Sequence, residues 1–280
     1  MLSYRHAFHA GNYADVLKHL VLSRTLAYMA QKPGPICYVD THAGAGGYSL
    51  LCSEAKKTDE FSAGIGLLWG QKGLPPALAE YRALVERFNE GRALRNYPGS
   101  PWIARQLLRP QDRLELCELH PKDHPLLARL FKQERRVNCH FGDGFKRSLA
   151  LVPPVERRGL VLIDPSYEIK SDYTLVVNHI KELHKRFATG SYALWYPLVD
   201  EQRVRTLEKA FIKSGMGNIE LYQLDITEDH SQPGMTGSGM ILVNPPWTLK
   251  KDLREALEWF APRVSDSGKP LYRLEVLVPE

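Results

Sequence analysis

Two tetrapeptides in this 280-residue chain join an Asx, a proline and an aromatic residue: Asp164-Pro165-Ser166-Tyr167 and Asn244-Pro245-Pro246-Trp247. That combination suits one kind of chemistry. An amino group on a purine ring is a poor nucleophile, because its lone pair is delocalised into the ring. A carboxylate or amide oxygen, together with the carbonyl of the following proline, can accept both of its hydrogens. The nitrogen then turns pyramidal and its lone pair is freed for attack on an electrophilic carbon. A carboxylate can also take the released proton. Proline fixes the direction of the carbonyl, and the aromatic ring offers a stacking face to a base turned out of its helix.

Three other clusters suit a nucleoside cofactor. Asp40-Thr-His-Ala-Gly44-Ala-Gly46 is a glycine-rich turn in which the backbone can approach a ligand closely. Position 49 is Ser, so the turn does not complete the dinucleotide fingerprint G-x-G-x-x-G. Alone it is equally well explained as a tight strand–helix turn. Glu118 ends an apolar run, and a carboxylate there can accept both ribose hydroxyls, of a nicotinamide dinucleotide or of S-adenosylmethionine alike. In Gly142-Asp143-Gly144-Phe145, Asp143 can accept from the exocyclic amine of an adenine and Phe145 can pack on its ring. Asp143 taken alone reads first as a helix N-cap. The ordered series of glycines, Glu118, Asp143 and Asp164 is what points to a cofactor site.

These clusters need elements to position them. A helix is expected from Asn12, a good N-cap with Asp15 three residues on, to about Met29, and Pro33-Gly34-Pro35 ends it. Short apolar strands are expected at residues 36–40, 114–118, 137–141, 159–163, 191–196, 219–224 and 239–243. Helical patterns fill most of the gaps, such as 125–134 and 201–214. The alternation predicts an α/β fold with a doubly wound, mostly parallel sheet, whose ligands bind at the carboxyl ends of the strands. The polar clusters of the first four strands all lie at such ends. The interval from Gly46 to Glu118 is too long for one turn, helix and strand, and 74–89 has a helical apolar face. A helical insertion over residues 50–97 is therefore expected in a single domain of 280 residues, with residues 1–31 as an N-terminal segment and helix.

Asn244-Pro-Pro-Trp247 is the fuller match to the tetrapeptide pattern, yet Asp164 is the expected catalytic residue. It follows the fourth strand, beside the glycine turn. Asn244 follows the seventh, which in the methyltransferase superfamily that this order of motifs resembles runs antiparallel, so it is expected to end on the opposite edge of the sheet. It reads as a turn into a helix from about Leu249.

Composition sets outer bounds. The chain is 44% hydrophobic and 25% charged, with a net charge of +5 and a pI near 8.9. That is a globular, mildly basic profile compatible with nucleic-acid binding. No apolar run is long enough to span a bilayer, and the N-terminus lacks the apolar centre of a signal peptide, so a cytoplasmic location is expected. Cys37, Cys52, Cys117 and Cys139 form no C-x-x-C pair and the ten histidines show no metal-ligand spacing. No metal is expected.

The whole chain resembles the RlmJ-type large-subunit ribosomal RNA adenine-N6 methyltransferases. The opening LSYRHAFHAGNYADVLKH, then DTHAGAGGY, NYPGSP, ELHP, GDGF, RRGLVLIDPSY, HKRFATGSYALWYP and GMTGSGMILVNPPW match in order. The resemblance implies a Rossmann-like class I methyltransferase fold with a seven-stranded sheet, its seventh strand antiparallel, and a small helical insertion. It implies S-adenosylmethionine as cofactor and large-subunit ribosomal RNA as partner, with no obligate protein partner and no membrane. It implies cofactor contacts from His19, His42, Gly44, Ser100, Glu118, Asp143, Gly144 and Asp164. Catalysis falls to Asp164, Pro165 and Tyr167. Tyr4, Arg5, His6 and Lys18 are implied as a lid on the RNA; unaided, they read as a solvated N-terminal patch. The departure is Ser166, where the family pattern has proline. Three other readings compete: a DNA adenine-N6 methyltransferase, a non-catalytic nucleic-acid-binding protein of the same fold, and a nicotinamide oxidoreductase. The incomplete glycine fingerprint and the Asp-Pro-x-Tyr loop weigh against the last.

Overall fold

The computed structural model describes residues 6–168, 172–231 and 234–280. The first helix begins as its sequence dictates: the Asn12 side chain accepts from the Asp15 amide at 2.9 Å, and α1 runs Tyr13–Met29. It is buried around most of its circumference, because it lies between the sheet and further helices. β1 (Cys37–Asp40) then leads into the glycine turn. β2 (Gly47–Ser49) and β3 (Asn96–Pro98) form a separate antiparallel pair with Gly47 opposite Pro98. The chain between them thus leaves and returns at one place. It holds α2 (Ser53–Thr58), 3-10 turns at Glu60–Ala63 and Ile65–Leu68, and α3 (Pro76–Phe88). Next come α4 (Ser100–Leu107), β4 (Arg113–Glu118), α5 (Asp123–Leu130), β5 (Val137–Phe141), α6 (Gly144–Leu151) and β6 (Gly159–Ile163). The remainder is α7 (Asp172–Arg186), β7 (Ser191–Leu198), α8 (Glu201–Ile212), β8 (Ile219–Asp225), β9 (Gly237–Val243), α9 (Leu249–Val264) and β10 (Tyr272–Val278).

Among the described residues, eight strands form one sheet in the order β10-β8-β9-β7-β6-β1-β4-β5. β1 pairs in parallel with β4 on one side and β6 on the other, with Asp40 level with Leu116 and Leu162. From β1 the chain winds outward through β4 and β5, then returns to place β6 and β7 on the other flank. The crevice between the carboxyl ends of β1 and β6 is therefore the switch point where ligands bind in such sheets. β9 runs antiparallel to both β7 and β8.

The central strands are buried on both faces. Leu160 and Leu162 of β6 join one apolar core with α1, α3, α4 and α9, while Val161 and Ile163 join the other with α7 and α8. Arg24 of α1 ties α3 and α9 to this layer through Glu80 and through Asp252 at 2.9 Å.

The sheet has one strand more than the seven expected. β10 pairs antiparallel with β8 as an edge strand. Its sequence alternates Tyr272, Leu274 and Val276 with Arg273 and Glu275, the two-residue period of a half-buried strand. Arg273 is held by Glu208 at 2.9 Å and by Glu275.

Candidate active site at the carboxyl ends of β1 and β6

Asp164 directly follows β6, and its side chain is 16% exposed. Its Oδ2 lies 2.6 Å from the Lys18 ammonium, which is also 2.8 Å from Asp15 Oδ1. Lys18 is only 4% exposed. It therefore belongs to no solvated surface patch; α1 carries it across the switch point onto Asp164. Burial works against its charge, but the two carboxylates outweigh that and hold its pKa well above the usual lysine value. His6 reaches the same cluster through Nε2, 2.9 Å from Asp15 Oδ2, and its ring tilts against Tyr48 at 4.9 Å. Tyr4 and Arg5 lie outside the described residues.

Tyr167 takes a positive φ of 52°. Its hydroxyl donates to the Trp195 carbonyl of β7 at 2.8 Å, and its ring packs against Tyr173 at 4.6 Å. The neighbouring strand thus fixes the ring beside Asp164. The Trp195 ring itself lies 5.8 Å from the Lys18 ammonium, within cation–π range. Pro165 is buried and Ser166 half-buried.

On the β1 side the carboxylates are held by backbone amides and buried hydroxyls. Glu118, at the end of β4, accepts from the Gly44 amide at 2.7 Å and the His120 amide at 2.5 Å. Burial raises its pKa against these two bonds. Asp40, fully buried, accepts from the Tyr38 hydroxyl at 2.8 Å, the Ser100 hydroxyl at 2.7 Å and the His42 amide at 3.2 Å. Burial pushes its pKa up to about 6. Ser100 thus joins the cluster through Asp40, at the first turn of α4. The Thr41 hydroxyl donates to the Leu162 carbonyl at 3.1 Å, and its oxygen lies 2.7 Å from His42 Nδ1. With its one proton committed, that hydroxyl accepts from Nδ1–H. Burial lowers the His42 pKa to about 4, so the neutral ring presents Nε2 as an acceptor.

Asp143 caps α6, accepting from the Phe145 amide at 2.9 Å and the Lys146 amide at 3.3 Å. Phe145 packs edge-on to His42 at 5.0 Å and to His179 at 4.9 Å, which fixes its ring at the site margin. His19 is 1% exposed; its Nδ1 lies 2.8 Å from the Tyr97 hydroxyl, which lies 2.6 Å from that of Tyr81. Burial lowers its pKa to about 3, so it is neutral. It bridges α1 to the segment that carries Ser100.

Two glycines are required by close approach. A Cβ on Gly44, whose φ is +60°, would lie 2.1 Å from the Tyr48 hydroxyl, and one on Gly144 would lie 1.8 Å from the Thr41 carbonyl oxygen. Gly44 thus lets the turn pack on Tyr48, and Gly144 lets α6 start against the Thr41 backbone. Asp15, Asp40 and Trp195 were not singled out as site residues from sequence. Asp40 had a signal, an acid at a strand end before a glycine turn; the other two act only through tertiary contacts.

Asn244 stands where strand order puts it. Val243 pairs with Tyr192 and Ile219, the first turns of β7 and β8, so the tetrapeptide lies at the opposite edge of the sheet. Its amide donates to the carbonyls of Ala188 at 2.9 Å and Gly190 at 2.8 Å, closing a turn, and Trp247 is 81% exposed.

Comparison with known proteins identifies the family. The family model RsmJ, described as ribosomal RNA large subunit methyltransferase D, RlmJ, matches residues 31–277. The chain is 47% identical to ribosomal RNA large subunit methyltransferase J of Escherichia coli (strain K12), over 280 residues and 100% of both chains. It is 46% identical to the protein of the same name from Haemophilus influenzae, over 281 residues and again 100% of both. Among solved structures, protein LPL1258 of Legionella pneumophila superposes with a TM-score of 0.89 at 36% identity, covering 96% of this chain and 98% of that one. A probable spermidine synthase from Corynebacterium glutamicum, 12% identical with a TM-score of 0.54 over 95% of this chain and 75% of its own, shares the fold. The architecture is the Rossmann-like class I methyltransferase fold, and the chain belongs to the RsmJ family of ribosomal RNA large subunit methyltransferases.

Proposed function

We propose that this protein uses S-adenosylmethionine to methylate the N6 amino group of one adenine in 23S ribosomal RNA. The observation that carries the reading is Asp164: a carboxylate at the switch point, followed by proline and a fixed tyrosine, beside a glycine turn. The carboxylate of Glu118 and the neutral ring of His42 at the ends of β4 and β1 fit a nucleoside cofactor. Glu118 would hold the ribose hydroxyls, Asp143 and Gly144 the adenine, and His42, Ser100 and His19 the remainder of the cofactor wall. S-adenosylmethionine, when bound, supplies an electrophilic sulfonium methyl group.

The chain's own residues prepare the amine. Lys18 occupies one oxygen of Asp164, leaving the other to accept an N6 hydrogen. The Pro165 carbonyl accepts the second. Tyr167 stacks on the base turned into the site. Lys18 remains an ammonium ion and so cannot serve as base; the proton goes to Asp164. A weak base suffices, because an N6 that has gained a methyl group and a positive charge is strongly acidic.

Labelled methyl transfer to unmodified large-subunit ribosomal RNA, run beside DNA of the same sequence, tests the substrate. Transfer to the RNA is expected; transfer to DNA alone would favour the DNA reading. Ser166→Pro is expected to keep activity and raise the single-turnover rate by about two- to fivefold, by reducing the freedom of the loop. No transfer by either form with cofactor bound would contradict the role given to this loop. Glu118→Gln is expected to weaken cofactor binding by about 10- to 100-fold, the worth of hydrogen bonds to a charged acceptor. Because burial raises the Glu118 pKa, wild-type affinity should fall as pH drops through that raised value and stay level above it. Calorimetric titration with S-adenosylhomocysteine reads both effects, and a variant with wild-type affinity and the same acid limb would remove Glu118 from the site.

A further inference from the structure

Lys18 carries one positive charge between two carboxylates that are not equivalent. Asp15 lies three residues back on the same helix and is 2% exposed. Its Oδ2 accepts from the Gly11 amide at 2.8 Å and lies 2.9 Å from His6 Nε2, while Oδ1 meets Lys18 at 2.8 Å. Both oxygens are therefore committed inside the N-terminal segment. Asp164, across 146 residues of chain, is more open and faces the site. Burial opposes the charge on Asp15, but His6 and Lys18 outweigh it and hold the carboxyl well below its ordinary range.

We infer that Asp15 is a positioning residue for methyl transfer: it anchors the Lys18 ammonium, so that Asp164 is not that ammonium's sole counter-ion. The inference rests on reading Asp164 as the acceptor of the N6 hydrogens. A buried ammonium must keep a carboxylate. With Asp15 in place that need is met within α1, and Asp164 can keep its second oxygen turned toward the incoming amine. Without the Asp15 charge, the whole demand falls on Asp164, and the tightened ion pair turns its carboxylate from the amine and withdraws charge from the oxygen that accepts the N6 hydrogen.

Asp15→Asn keeps the shape of the side chain and removes the charge. Its kcat for labelled methyl transfer to ribosomal RNA is expected to fall about 10- to 100-fold, with KM for RNA and affinity for S-adenosylhomocysteine unchanged. Arg24→Ala, which removes the ion pairs of α1 with Glu80 and Asp252 without touching Asp15, Lys18 or Asp164, is expected to lower the melting temperature and leave kcat alone. A wild-type kcat in Asp15→Asn would overturn the inference. So would a joint loss of kcat, KM and cofactor affinity, or an equal loss of kcat in Arg24→Ala, since each indicates a merely structural role. Total label reads the Asp15 effect, whereas nucleoside analysis of the wild-type product reads N6. Label on another atom would therefore sink the N6 reading and leave the Asp15 comparison measurable; no transfer by the wild type would overturn both.

Discussion

Asp164→Ala is expected to reduce the single-turnover rate of methyl transfer by about 10²- to 10⁴-fold, the scale of a lost acid–base and orienting group. The variant removes an acceptor for an N6 hydrogen and the group that takes the proton. It should not unfold the protein. Lys18 keeps its contact with Asp15 at 2.8 Å, so no unpaired buried charge is left behind, and the strand before Asp164 is fixed by β1 and β7. The loss should therefore appear in the rate while the melting temperature changes little. Asp164→Asn can still accept one hydrogen but cannot take the proton, and should lie between the two. Full activity in Asp164→Ala would exclude the assignment.

Gly144→Ala should act by a different route, through cofactor binding and stability together. The new methyl group would sit 1.8 Å from the Thr41 carbonyl oxygen and 2.6 Å from its carbon. Thr41 cannot retreat, because its amide and hydroxyl both donate to the Leu162 carbonyl, at 3.0 and 3.1 Å. The start of α6 must move instead, and Asp143 and Phe145 move with it. Overpacking of this kind costs about 1–3 kcal/mol, and more where backbone meets backbone. Cofactor affinity should fall by more than about tenfold, on the same energy scale, as read by calorimetry. A variant that melts and binds like the wild type would mean that the crevice between β1 and α6 is not the cofactor site.

Much of this arrangement was legible in the sequence because it is local. Asn12 and Asp15 mark the start of α1, and continuous apolar runs ended by Asp40, Glu118 and Asp164 mark strands whose carboxyl ends share one edge. Strand order also sorted the two tetrapeptides: Asn244 matches the pattern better, yet β9 runs antiparallel and carries it to the far edge. What could not be read is what depends on packing between distant segments. The ion pair of Lys18 with Asp164 exists because α1 crosses the switch point, and no local spacing reveals that. Lys18 consequently read as surface when it is buried. Tyr167 owes its orientation to a carbonyl on the neighbouring strand, 28 residues away. β10 was missed because an alternating edge strand with Arg273 and Glu275 gives a weaker signal than the wholly apolar run of β6.

The most direct test of the central claim is a map of N6-methyladenine in large-subunit ribosomal RNA from cells with and without this protein. One adenine is expected to carry the modification in the first and lose it in the second, and to regain it on expression of the wild type but not of Asp164→Ala. An identical N6-methyladenine map in both would contradict the account.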